Sequence, residues 1–439
     1  MMLKGIVNYI EGNFPSLFYR GKPCLVLWGV VSALLYTYTA IWNYGGLLHK
    51  LSQYIMVITF FISVWAYRHI VKSDFVFKLL LLSIAIPWLL FGINLLIDYE
   101  AALKYRSLND LAKLFLFLPL AWWMGGSLNA ARKMLAIAFL GLITAILLDA
   151  NLSSNLISLL SGSRVDFGIH NAQHAALFFG VVYIFGMVFI FSHVNGSMPV
   201  STKLVLFLVC LVGVVGVFGA RTRATYLGLL MCGFFLLLQI IRYKYYFEFK
   251  RPLNYQRLLA TICIVAVVIG FVREITDGRF HAQQSSIASV ISGDLEEIDS
   301  NGIAIRLDAW SESLDWVRQR PVTGWGLEAR SDVIRQSDKF DETIKSRLGH
   351  LHNSYLELLL AFGLIGFIFT FLLWFTILSN IRKSADGELF FFSLYGSIFV
   401  FVVSVFESFL FYWSGIFVIS ILMAGGYSQH LAKTLYDKA

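Results

Sequence analysis

Five short groups of residues have the types and spacing that chemistry needs. His350 and His352 flank Leu351 and are followed by Asn353, where a polar stretch gives way to an apolar run. Imidazole exchanges a proton near neutral pH more readily than any other side chain, so these two are candidates for general acid–base work. The plainer alternative is a histidine that caps or anchors a helix at an interface. Two histidines at i and i+2 do not share a helix face, which argues against a paired zinc site. Arg221 and Arg223 stand close together in Gly-Ala-Arg-Thr-Arg-Ala-Thr-Tyr. A guanidinium fork matches two oxygens of a phosphate, so they suit an anion; snorkelling toward lipid headgroups is the competing reading. Arg306, Asp308 and Trp310 fall on an expected helix, followed by Pro321 and the bend Gly324-Trp325-Gly326. Glu407, next to Ser408, would become a counter-ion or base if the arginines converge on it. Arg164, His170, Asn171, Gln173 and His174 add a fifth polar cluster. The acidic stretch Asp294, Glu296, Glu297 and Asp299 has the oxygen ligands for a divalent cation, and reads more simply as a solvated turn.

What must position these groups is a set of membrane-crossing helices. The 439 residues are 58% hydrophobic and 14% charged, with mean hydropathy +0.71, more apolar surface than a water-soluble domain can hide. The apolar runs reach the length of a helix that crosses a hydrocarbon core of about 30 Å. In lipid every backbone polar group must be bonded within its own segment, which selects helices, and the short alternating pattern of a β-barrel is missing. The reading is an all-α polytopic membrane protein of about twelve spans. They are expected near 24–43, 52–69, 76–97, 111–126, 133–150, 172–193, 203–219, 224–242, 258–272, 355–379, 388–406 and 409–426. The organisation expected is a transmembrane bundle over 1–272, a large polar loop over 273–352 with helices near 305–317 and 331–348, and a C-terminal group of spans over 353–439. Residues 6–19 read as a short interfacial helix. The first span reads as an uncleaved anchor. Cys24, Cys210, Cys232 and Cys263 read as small buried hydrophobes rather than a disulfide framework.

Orientation follows from basic residues. With the N-terminus in the cytoplasm, Arg68, Lys72, Arg132, Lys133, Lys203, Lys250, Arg251, Arg382 and Lys383 all fall on cytoplasmic loops. The net charge of +8 is then a topology signal, and no nucleic-acid partner is expected. Both termini lie inside, and all five chemical groups lie at the opposite face. Arg221 and Arg223 oppose the positive-inside bias there, so they need a reason.

The order of the motifs resembles the superfamily of bacterial inner-membrane O-antigen ligases and O-antigen polymerases. The resemblance rests on Arg164, Gly168 and Asn171 before the sixth span, and on Thr222-Arg223 with Ala-Thr-Tyr-Leu after it. It continues through Arg306 with Trp310, Pro321 with Gly324 and Gly326, and His352-Asn353 with Leu356, Gly363 and Gly366. These pieces cover residues 164–366, nearly half the chain. His170 stands where relatives have proline, and the doubling of Arg221 and Arg223 leaves two candidates for one phosphate ligand. Length, span number and a single large loop resemble the ligase branch.

The resemblance implies a C-type glycosyltransferase architecture. It implies transfer of a glycan from undecaprenyl pyrophosphate to lipid A–core at the periplasmic face, without metal or other cofactor and with inversion. It assigns catalysis to His352, Arg306 and Arg223: the arginines bind pyrophosphate and stabilise the leaving group, and His352 orients or deprotonates the acceptor hydroxyl. Arg221, Arg164, His350, Asn353, Trp310, Glu407, His170 and His174 are the expected substrate-binding residues. A polymerase joining undecaprenyl-linked repeats shares the two-arginine layout. A secondary transporter of a polyanion would place its polar groups near the bilayer midplane and repeat its halves, and this chain does neither.

Overall fold

The computed structural model describes residues 23–72, 74–161, 163–192, 199–244, 270 and 302–436. Its helices, in order, are α1 (Pro23–Trp42), α2 (Leu47–Ala66), α3 (Arg68–Val71), α4 (Phe75–Ile97), α5 (Tyr99–Lys104), α6 (Asp110–Lys113), α7 (Phe117–Met124), α8 (Leu128–Leu147), α9 (Leu152–Leu160), α10 (Ala172–Ser192), α11 (Val200–Ala220), α12 (Arg223–Lys244), α13 (Gly302–Gln319), α14 (Ala329–Arg335), α15 (Glu342–Arg347), α16 (Ser354–Ser384), α17 (Gly387–Val403) and α18 (Trp413–Tyr436). Among the described residues there is no strand. Among the described residues seven helices, α1, α2, α4, α8, α10, α16 and α18, are long and apolar enough to cross a membrane, and α11, α12 and α17 carry shorter apolar stretches. Trp65, Leu81, Leu89, Leu96, Ile368 and Phe375 stay largely exposed on these helices. That surface is a hazard in water and the natural face toward lipid. The protein is an all-α polytopic membrane protein.

Several expectations are corrected. The fourth expected span, 111–126, is two helices, α6 and α7, and α7 is only eight residues, about 12 Å. Every residue of α7 is buried in protein. An apolar run enclosed by other helices has the same composition as one facing lipid, which is why sequence could not separate them. The helix expected over 331–348 is divided into α14 and α15, while that over 305–317 extends to the whole of α13. Cys210 and Cys232 are buried as expected, but Cys24 is exposed. The ninth expected span 258–272 (bar Gly270), the interfacial helix 6–19, Cys263 and the acidic stretch 294–299 lie outside the described residues.

Polar contacts gather at the two ends of the bundle. At one end Tyr427 Oη donates to both oxygens of the buried Asp74 at 3.0 and 2.9 Å, and Arg132 forks onto Glu388 at 2.8 and 2.9 Å. At the other, Tyr44 stacks on Trp413 at 4.4 Å and Arg320 donates to Asp98 at 2.9 Å. The α10 N-terminus, the α11–α12 turn, the start of α16 and the α17–α18 connection all lie at this second end.

One backbone exchange sets the geometry of that end. The 31-residue α16 is broken at Gly363, where φ is 58° and ψ −159°. The break removes the i to i+4 partners of Leu360 and Ala361, and the Pro321–Gly326 segment replaces them. Trp325 N–H donates to Leu360 O at 2.7 Å, Gly326 N–H to Ala361 O at 3.0 Å, and Leu364 N–H to Pro321 O at 2.8 Å. No side chain fits in this seam: a Cβ on Gly363 would lie 2.2 Å from Val322 O, and one on Gly326 1.7 Å from Tyr105 O. The break divides α16 into a short arm, 354–362, and 21 residues beyond, enough to cross about 30 Å of hydrocarbon. Gly363→Ala and Gly326→Ala are expected to lose about 2 kcal/mol or more through left-handed strain and the clash, measured as a lower thermal midpoint in detergent. Gly92→Ala, whose Cβ would meet nothing within 4 Å, is the neutral control.

Candidate active site

The short arm of α16 begins with a cap. Asn353 Oδ1 accepts from Tyr355 N–H at 3.0 Å and Leu356 N–H at 3.2 Å, which satisfies two of the free donors of the first turn. Ser354, fully buried, then joins the arm to the α17–α18 connection: its N–H donates to Ser404 O at 2.9 Å and its hydroxyl to Glu407 O at 2.8 Å. These bonds bring His352 to Glu407. His352 Nδ1 lies 3.1 and 3.0 Å from the two carboxylate oxygens of Glu407, itself 2% exposed. His350 packs edge-on to His352 with ring centroids 3.9 Å apart, and its Nδ1 lies 3.8 Å from Glu407.

Arg306 reaches the same carboxylate through a third side chain. With its amide oriented to satisfy both neighbours, Gln173 accepts from Arg306 Nη2 at 2.9 Å and donates to Glu407 Oε2. Trp310, one turn after Arg306 on the same face of α13, donates its indole N–H to Leu351 O at 2.8 Å. Asn353 and Trp310, expected to touch substrate, thus spend these polar groups on holding the histidine segment in place. Tyr412 forms a wall, with ring centroids 5.2 Å from both His350 and His174 and 6.3 Å from His170. His174 is buried, and its Nδ1 lies 2.7 Å from Ser414 Oγ.

The remaining arginines form a neighbouring group. Arg164 Nε donates to Ala220 O at 3.2 Å at the end of α11. Arg221 follows in a left-handed conformation, and Arg223 opens α12. Ala220 packs against Ala172 and Ala176 in the first turns of α10, the same turns that present Gln173 and His174. Four non-glycine residues among those described have positive φ: Phe167, His170, Arg221 and His352, at 55°, 46°, 46° and 52°. Three of them are candidate site residues. Such strain persists where the surroundings over-determine it, as functional sites do.

Charge in the cluster is asymmetric. Burial would raise the Glu407 carboxyl, but the hydrogen bond and charge of His352 and the Ser408 N–H prevail and hold it at about 2. Burial pushes His350 down to about 3, with His352, Arg330 and Arg306 acting the same way and Glu407 opposing them. Burial also works against the charge on Arg306, and Glu407 only partly offsets it. A bound anion would relieve that cost. His350, His352 and Glu407 offer ligand atoms within 4.8 Å of one another, the donor set of some catalytic zinc sites. Both histidines precede α16 in a loop, so the helix-face objection does not apply to them. The objection that does apply is charge: Arg306 and Arg330 already stand beside His350, and His352 Nδ1 is turned to Glu407 rather than free for a metal.

Three residues here were not singled out from sequence. Arg330 donates to Glu357 Oε2 at 3.0 Å, and Glu357 is fully buried. Glu357 had a signal, a carboxylate inside an apolar run. Arg330 and Tyr412 had none, being one basic residue of a polar loop and one aromatic among many.

Comparison with known proteins adds two findings. Residues 206–371 match the family model described as O-antigen ligase. That segment contains Arg221, Arg223, Arg306 and His352, and the fold brings Gln173 and Glu407 to it from outside. An uncharacterized protein of Haemophilus influenzae is 30% identical over 131 residues, 28% of this chain. The match spans 31% of that relative's length.

A pH effect follows from His350. The unfolded chain protonates this histidine below about 6.5, while the native state resists protonation until about 3. Between those values the unfolded state binds more protons, so stability falls as pH drops. From pH 7 to 5 the loss from this group is about 2 kcal/mol. His350→Gln is therefore expected to lower its thermal midpoint less than wild type over that interval. An equal fall in both proteins would show that His350 is not held neutral.

Proposed function

From a chain that carries an O-antigen ligase family domain over residues 206–371, we propose an O-antigen ligase. It moves a glycan from undecaprenyl pyrophosphate to a hydroxyl of lipid A–core, at the periplasmic face of the bacterial inner membrane. Both termini lie in the cytoplasm on this reading. The observation that carries it is the His352–Glu407 pair beside the half-buried Arg306, with the α11–α12 turn that holds Arg221 and Arg223 packed onto the N-terminal end of α10, which supplies Gln173.

In the reaction Glu407 stays ionised and holds His352 with Nδ1–H toward it, which leaves Nε2 as the proton acceptor. The acceptor hydroxyl gives its proton to Nε2 as its oxygen attacks the anomeric carbon of the donor glycan. The bond from that carbon to the pyrophosphate oxygen breaks on the opposite side, so configuration inverts and undecaprenyl pyrophosphate departs with the electron pair. Arg306 and Arg223 stabilise the charge that develops on it. Guanidinium groups thereby take the role that a divalent cation fills elsewhere. Arg164, Arg221 and His170 line the approach of the donor and acceptor headgroups, and the buried His174 supports them from behind through Ser414 and Tyr412. The lipid tail of the donor accounts for a site built at the end of membrane helices.

The test is deletion in the native bacterium, followed by electrophoresis of its lipopolysaccharide. Bare lipid A–core with accumulated undecaprenyl-linked polymer of normal length is the expected result. Core carrying a single repeat unit would instead identify a polymerase, and an unchanged ladder would overturn both. In complementation, His352→Ala, Arg306→Ala and Glu407→Gln are each expected to cut ligation by about 100-fold or more at normal protein levels.

A further inference from the structure

Glu357 is a fully buried carboxylate in the run Leu356–Phe362, where an unpaired charge would be costly. Its partners explain its presence. Oε1 accepts from Leu351 N–H at 2.9 Å and from Ser408 Oγ at 2.7 Å, and Oε2 accepts from Arg330 Nη1 at 3.0 Å. Leu351 separates His350 from His352, and Ser408 follows Glu407. A single oxygen therefore grips the chain next to each member of the His352–Glu407 pair. The other side of Leu351 is fixed as well, because its carbonyl accepts from Trp310. The result is a closed circuit: Arg306 through Gln173 to Glu407, on to Ser408, Glu357, Leu351 and Trp310, and back along α13.

We propose that Glu357, with Arg330 as its counter-ion, is a positioning residue that sets the separation of His352 and Glu407. This rests on the function proposed above and adds a residue that touches neither substrate nor proton. The histidine segment and the α17–α18 connection are far apart in sequence; besides the reacting pair and Glu357, the bonds of Ser354 and a long His350 Nδ1–Ser408 Oγ contact at 3.5 Å join them. Ser354 grips the Glu407 segment from the α16 side, whereas Glu357 grips both segments beside the reacting pair with a single oxygen. Arg330 takes Oε2, which leaves Oε1 to accept from Leu351 and Ser408 together.

The experiment uses the purified full-length protein with undecaprenyl-pyrophosphate-linked glycan and lipid A–core. Glu357→Gln is expected to lower kcat by about 10-fold or more while changing the donor KM less than about 2-fold. The discriminating readout is a double-mutant cycle. In a Glu407→Gln background the same substitution is expected to cost less than about 2-fold, because the geometry it protects no longer matters. Costs that multiply in full, or a kcat unchanged by Glu357→Gln, overturn the inference. If Glu357→Gln is not recovered folded, Ser408→Ala removes one arm only. It is expected to lower kcat about 3-fold or more, with the same loss of effect in the Glu407→Gln background; full multiplicativity there overturns the inference. Full activity in His352→Ala and Glu407→Gln, or no transfer by wild type, overturns the proposed function and this inference with it. Impaired His352 and Glu407 variants beside a fully active Glu357→Gln overturn the inference alone.

Discussion

The break in α16 at Gly363 is the constraint on which the candidate site depends. A helix that ran unbroken from Ser354 would keep the carbonyls of Leu360 and Ala361 for itself. Releasing them inside an apolar environment is tolerable only if other donors replace the lost ones. Trp325 and Gly326 supply those donors, and so the Pro321–Gly326 segment is bound to the end of the bundle. That segment follows α13, which carries Arg306 and Trp310. Satisfying two peptide carbonyls thus also delivers a guanidinium to the histidine segment.

The second organising effect is charge compensation in a poorly solvated layer. Glu407 faces His352 and, through Gln173, Arg306; Glu357 faces Arg330. The two pairs differ in kind. Glu357 spends all its contacts on backbone, hydroxyl and guanidinium partners, and suits a fixed structural link. Glu407 leaves Arg306 under-compensated, as its suppressed basicity indicates. A site whose guanidinium is poorly solvated is ready for a ligand that brings negative charge.

Much of this architecture was legible in the sequence, for local reasons. A membrane-crossing helix is declared by the composition of its own residues, so α1, α2, α4, α8, α10, α16 and α18 fall where apolar runs predict. The polar groups of Arg164, Arg221, Arg223, Arg306, His352 and Glu407 stood out in the sequence as short motifs beside these runs. What could not be read is whatever depends on a distant partner. Composition alone does not reveal that α7 is enclosed by protein, or that Trp310 bonds to Leu351 rather than to a ligand. Gln173 as a bridge and Arg330 as a counter-ion are likewise properties of pairs 133 and 27 residues apart. Glu357 was visible in type, and its role lies in the two segments it joins.

The left-handed conformations of His170, Arg221 and His352 have a bearing on how such a protein can change. At each position glycine would relieve strain of about 1 kcal/mol or more, and asparagine part of it. Each exchange would also remove an imidazole or guanidinium from the polar end of the bundle. Robustness and chemistry therefore pull in opposite directions at the same three residues. Variants selected only for thermal tolerance would drift toward glycine there, and a retained histidine or arginine is the mark of selection for the reaction.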